Sequence, residues 1–132
     1  MPDFPALTHV ALTVTDLEVS LPWYEQLFGV APAMDEETNG YRHVVFPLAG
    51  GMLFGLHTLP LTKPDDVFQE LRAGLDHVAF GCASREELEG WVERLDELGI
   101  AHGEVVDAPF GSGLAFRDPD NIQLEFFAPP AA

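Results

Sequence analysis

The chain carries one pattern twice. Leu7-Thr8-His9-Val10-Ala11-Leu12 lines up with Leu75-Asp76-His77-Val78-Ala79-Phe80 at an offset of 68. The same offset carries Asp16 onto Ser84 and Trp23 onto Trp91, and beyond that it grows to 70, matching Val30 with Ile100, Phe46 with Phe116 and Gly51 with Asn121. A repeat of this kind limits the fold strongly, because each copy must be the same supersecondary unit. In 132 residues there is room for two copies and a connection. The expectation is a single domain over 1–132, with module 1 at about 5–59, a linker at about 60–74 and module 2 at about 75–128.

Each copy reads as a strand, a helix and then three short strands, an α+β fold. Alternation over 7–14 marks the first strand. Asp16 is a helix N-cap, and a helix over Leu17 to Phe28 puts Leu17, Leu21, Tyr24 and Phe28 on one face before Gly29 stops it. Pro22 falls inside, so the helix either kinks there or becomes regular only near Ser20. Asn39-Gly40 is a two-residue hairpin signal, and strands follow near 41–48 and 52–59. In the second copy Ser84-Arg85-Glu86-Glu87 is a capping box, followed by the apolar stripe Leu88, Trp91, Val92, Leu95 and Leu98 and the stop Gly99. Strands are expected near 103–107, 112–117 and 121–128, and a short helix can be drawn between Lys63 and Arg72.

Charge narrows the partners. Six Lys and Arg against 22 Asp and Glu give a net −16, which repels nucleic-acid backbones and anionic lipid, so neither nucleic acid nor membrane is an expected partner. The one cysteine, Cys82, makes no intrachain disulfide. The start of the chain carries no Lys or Arg before strand-like sequence, unlike a secretion signal, and a cytoplasmic location is expected.

Strand parity brings the chemistry-bearing side chains out. With Val10, Leu12 and Val14 packed on a helix, His9, Ala11 and Thr13 face the other way. With Val78, Phe80 and Cys82 packed, His77, Ala79 and Gly81 do the same. In the last strand Ile122, Leu124 and Phe126 pack, leaving Gln123, Glu125 and Phe127 opposite. Two histidines at equivalent places in a duplicated unit, with a carboxylate in an apolar strand, have the composition of a facial metal triad. Taken singly, each reads better as a hydrogen-bonded or solvated residue than as a ligand. Their coincidence draws the reading towards a metal without settling it on spacing alone.

The run Leu-Thr-His9-Val-Ala-Leu-Thr-Val-Thr-Asp16-Leu, with Trp23-Tyr24-Glu-Gln-Leu-Phe-Gly29, Leu-Asp-His77-Val-Ala-Phe and Phe116-Arg-Asp118-Pro119-Asp120-Asn-Ile-Gln-Leu-Glu125, resembles the vicinal oxygen chelate superfamily over essentially the whole chain. That superfamily includes glyoxalase I, extradiol dioxygenases, fosfomycin-resistance proteins and bleomycin-binding proteins. The resemblance implies paired βαβββ modules whose mixed sheets curve into a cup-shaped site, with His9, His77 and Glu125 as metal ligands. The remaining ligand position falls on Gly55, a departure that counts against a four-ligand glyoxalase site. His57, two residues on, is the candidate catalytic proton carrier; a displaced fourth ligand, a substrate contact and a solvated strand-end residue are the other readings. His43 and His102 read as surface residues. Phe116 stands where typical extradiol dioxygenases have tyrosine, and so few cations suit a large polyanionic substrate poorly.

The resemblance therefore implies a metal-dependent enzyme of dioxygenase, lyase or isomerase type. Its small substrate, neutral and aromatic or else cationic, would chelate the ion through adjacent oxygens. The cofactor it implies is a divalent metal ion, Fe2+ or Mn2+ first, with Zn2+ and Ni2+ as alternatives, acting as a Lewis acid. The competing expectation is a non-catalytic, bleomycin-resistance-like acidic dimer that sequesters a drug or metabolite, and a third is an acidic scaffold with a vestigial triad. Related two-module chains dimerise, so a homodimer is expected, with the site built within one chain or shared between two.

Overall fold

The computed structural model describes residues 2–131. The chain runs β1 (His9–Thr13), α1 (Leu17–Phe28), β2 (Met34–Thr38), β3 (Tyr41–Pro47), β4 (Leu53–Thr58), β5 (Val78–Gly81), α2 (Arg85–Glu97), β6 (Val106–Ala108), β7 (Gly111–Arg117) and β8 (Gln123–Ala128). It divides into two units, one up to Asp66 and one from Val67 onward. Each is a βαβββ module with a four-stranded mixed sheet, ordered β1-β4-β3-β2 in the first and β5-β8-β7-β6 in the second. In both, the first strand lies parallel to the last and the remaining pairs are antiparallel.

Local chemistry sets the element ends. Asp16 Oδ1 accepts from Glu18 N at 3.0 Å and Ser84 Oγ from Glu87 N at 3.2 Å, satisfying amides that the first helical turn leaves open. Glu87 reaches back to the Ala83 amide, one residue before the cap, so the expected capping box closes one position early. Asn39 and Gly40 have φ of 53° and 81°, both positive as a type I′ hairpin needs. Asn121 takes φ 67° where Gly51 takes 77°. The repeat therefore keeps its left-handed turn residue even though the side chain differs. Pro22 lies within α1, which is helical from Leu17 without delay. No helix forms over 63–72, where turns and bends run instead.

In the first unit α1 lays Tyr24 and Phe28 on the sheet, with ring centroids 5.3 Å between Tyr24 and Phe54 and 5.1 Å between Phe28 and Phe46. The buried face of α1 is Leu17, Ser20, Tyr24 and Leu27, so Leu27 replaces Leu21 in the expected stripe. In the second unit Trp91 of α2 stacks on Phe126 at 4.3 Å, and Phe116 stacks on the same ring at 5.3 Å. Leu88, Leu95, Leu114 and Leu124 are fully buried around them, each contributing about 1.5–3 kcal/mol of apolar burial. Each helix thus covers one face of its sheet and leaves the opposite face to the polar residues.

Candidate metal and proton-transfer site

On the uncovered face of the second sheet, Ala79 pairs with Glu125, so His77, Ala79, Glu125 and Phe127 share a side. His77 Nε2 lies 3.4 Å from Glu125 Oε2. The other ring nitrogen, Nδ1, is 2.7 Å from Asp76 Oδ1, which orients the ring and leaves Nε2 as its working atom. The Glu125 carboxylate leans across to β7, where a Cβ at Gly113 would stand 2.3 Å from Oε1. Glycine at 113 is what gives the carboxylate its place. Two of the three expected ligands lie together here, and their chemistry fits a divalent ion: one imidazole nitrogen with its second nitrogen engaged, beside one half-buried carboxylate.

The first unit has a different content at the same places. Ala11 pairs with Gly55, the position equivalent to that of Glu125, so no carboxylate arises there. His57 fills the space: its Nε2 would lie 3.4 Å from a Cβ built on Gly55. His43 is directly opposite His57 on β3, with ring centroids 5.5 Å apart and edge-on, and Tyr41 lies 5.6 Å from His43 and 6.0 Å from His57. Burial pushes the His57 imidazole below the ordinary histidine value, and His43 and His9 push it the same way. A neutral imidazole at pH 7 can accept a proton. His9 is exposed on this face, its Nδ1 2.8 Å from Thr8 Oγ1, leaving Nε2 free. Among the described residues no three His, Cys, Asp or Glu side chains group to hold a metal ion, so within a unit the structure brings His77 to Glu125 and leaves His9 with the His57 cluster.

Two expectations change. His43 is part of the His57 cluster rather than an isolated surface residue. His102 is largely buried, with Nδ1 at 2.7 Å from the Gly103 carbonyl and Nε2 at 2.7 Å from Asp96 Oδ1, because it is drawn into a bridge with Phe116. Reasoning from sequence also missed Asp76, although its place next to His77 was a usable signal. The scarcity of cations goes further than a count: Arg42 pairs with Asp35 and Glu18, Arg85 with Asp107 and Glu89, Arg94 with Glu97, and Arg117 with Glu70. Among the described residues no helix is long and apolar enough to cross a membrane.

The family model described as Glyoxalase/Bleomycin resistance protein/Dioxygenase superfamily matches residues 6–126. The chain belongs to this superfamily. A solved glyoxylase/bleomycin resistance protein/dioxygenase domain from Frankia sp. EAN1pec is 34% identical, with a TM-score of 0.87 over 97% of this chain and 100% of that one. Metallothiol transferase FosB of Bacillus licheniformis is 26% identical over 121 residues, 90% of this chain and 72% of the relative. MhqA of Bacillus subtilis, named for a ring-cleaving dioxygenase activity, is 28% identical over 126 residues; the chain spans 39% of its length. The superfamily relatives thus carry names from more than one chemistry, and the shared fold does not choose among them.

Proposed function

We propose that this chain is a metal-dependent enzyme acting on a small molecule that chelates a divalent ion through adjacent oxygens, by dioxygenase, lyase or isomerase chemistry. His9, His77 and Glu125 are the proposed ligands, and His57 the proton carrier. Fe2+ or Mn2+ is the first choice of ion. When bound, such an ion supplies a Lewis acid that polarises the chelated oxygens. The observation that carries the reading is the His77–Glu125 pair, with its imidazole anchored by Asp76 and its carboxylate admitted by Gly113. A half-buried carboxylate beside an imidazole is stabilised by a cation.

The protein groups have separate tasks. Asp76 holds the His77 ring, Thr8 engages the far nitrogen of His9, and His57, neutral and lying over Gly55, takes a proton from the substrate and returns it. The proposed working form is a homodimer. Because His9 stands in one unit and the pair in the other, each ligand is tested singly, which makes the result independent of whether one chain or two supply the set. The experiment is purification without chelator followed by elemental analysis. Stoichiometric iron or manganese in the wild type that falls on His9→Ala, on His77→Ala and on Glu125→Ala, each made singly, supports the enzyme. A metal-free protein that also fails to bind added Fe2+ or Mn2+ favours the acidic binding protein instead.

A further inference from the structure

Two glycines on β7, two residues apart and on one face, each lie beneath a large side chain reaching over from β8. A Cβ on Gly113 would be 2.3 Å from Glu125 Oε1, and a Cβ on Gly111 would be 2.3 Å from Phe127 Cζ. The carboxylate tip and the ring tip therefore both lie over β7, the one against Gly113 and the other against Gly111. Beyond Phe127 the ring of Phe110 stacks nearly parallel, 6.4 Å away at 11°. Phe110 sits in the two-residue turn between β6 and β7 and is 75% exposed, and Val106, which pairs with Gly113 on the same face, is 66% exposed.

This apolar rim begins next to the carboxylate, and the arginines of its supporting elements are already committed, Arg85 to Asp107 and Arg117 to Glu70. An anionic tail would find no free guanidinium from either; a planar apolar ring would find two stacked phenyl groups. We propose that Phe110 and Phe127 form a shelf that binds the ring of an aromatic substrate, whose adjacent oxygens reach the Glu125–His77 pair. The shelf selects ring-bearing chelators over aliphatic ones, and for its polar end the proposal rests on the metal-site reading above.

The test uses the full chain loaded with redox-silent Zn2+ and two probes with adjacent oxygens: 4-nitrocatechol, which carries a ring, and acetohydroxamate, which does not. Phe110→Ala is expected to weaken 4-nitrocatechol roughly tenfold, and to leave acetohydroxamate within about twofold; Phe110→Trp restores the former. An equal effect on both probes, or none on 4-nitrocatechol, overturns the shelf. Should neither probe bind the wild type, the metal reading fails, and the shelf is then judged on metal-free protein by saturation-transfer NMR with phenol. Transfer to phenol that disappears in Phe110→Ala sustains the shelf; absence of transfer overturns it.

Discussion

Substituting Gly113 by alanine separates the carboxylate's position from the stability of the fold. Gly113 lies within β7 and is not among the positive-φ residues, so alanine meets no backbone strain, and losing a strand glycine gains about 0.5–1 kcal/mol. The new Cβ would stand 2.3 Å from Glu125 Oε1, 3.3 Å from Cδ and 3.8 Å from Cγ. Only the carboxylate end is in the way, and it must retreat by roughly 1 Å to reach ordinary contact distance. That exceeds the roughly 0.5 Å within which a ligand set must be held. Metal affinity should drop about 10- to 100-fold, equivalent to about 1.4–2.7 kcal/mol, while the melting temperature stays level or rises by a few degrees. Competition against a chromophoric chelator measures the first and a thermal melt the second. In a Glu125→Ala background the same substitution should leave metal affinity unchanged, since its action on the metal passes through that carboxylate. Unchanged metal affinity in Gly113→Ala, or a collapse of the melting temperature, would refute the reasoning.

Gly111→Ala should behave in the opposite way: at φ 145°, with a Cβ 2.5 Å from the Ala128 carbonyl oxygen, it should cost about 3 kcal/mol or more in urea unfolding. Asp76→Asn should lower metal affinity roughly tenfold by loosening the His77 ring, with native far-UV dichroism retained. The Gly103 carbonyl and then Asp96 raise the His102 value above 6.5, since both ring nitrogens face acceptors. The folded state then holds the proton more tightly, so this contribution is full below pH 6.5 and is lost as pH climbs through the folded value. Urea midpoints measured across that window should fall in the wild type and fall less steeply in Asp96→Asn, where the Gly103 carbonyl still holds the ring; equal slopes in both would count against the pairing.

Much of the architecture was legible because its signals are local. Asp16 and Ser84 cap helices through amides two or three residues away, Asn39-Gly40 turns a hairpin by its own dihedral preferences, and period-two alternation sorts Leu124 and Phe126 from Glu125. The duplicated pattern then made βαβββ the unit, as found. Parity also put His77 and Glu125 on one face, and they meet there.

What tertiary structure alone decided is which side chains lie across from one another on neighbouring strands. One strand's periodicity says which face a residue takes and nothing about its neighbour in the ladder, which depends on register between segments far apart in sequence. Hence Gly113, unremarkable in the sequence, turns out to make room for Glu125, and His43 turns out to stand against His57. His102 finds Asp96 for the same reason, its strand-like bridge to Phe116 carrying it beneath the end of α2. The amino-acid order determined the units and the faces; packing of one strand on the next decided what those faces can hold.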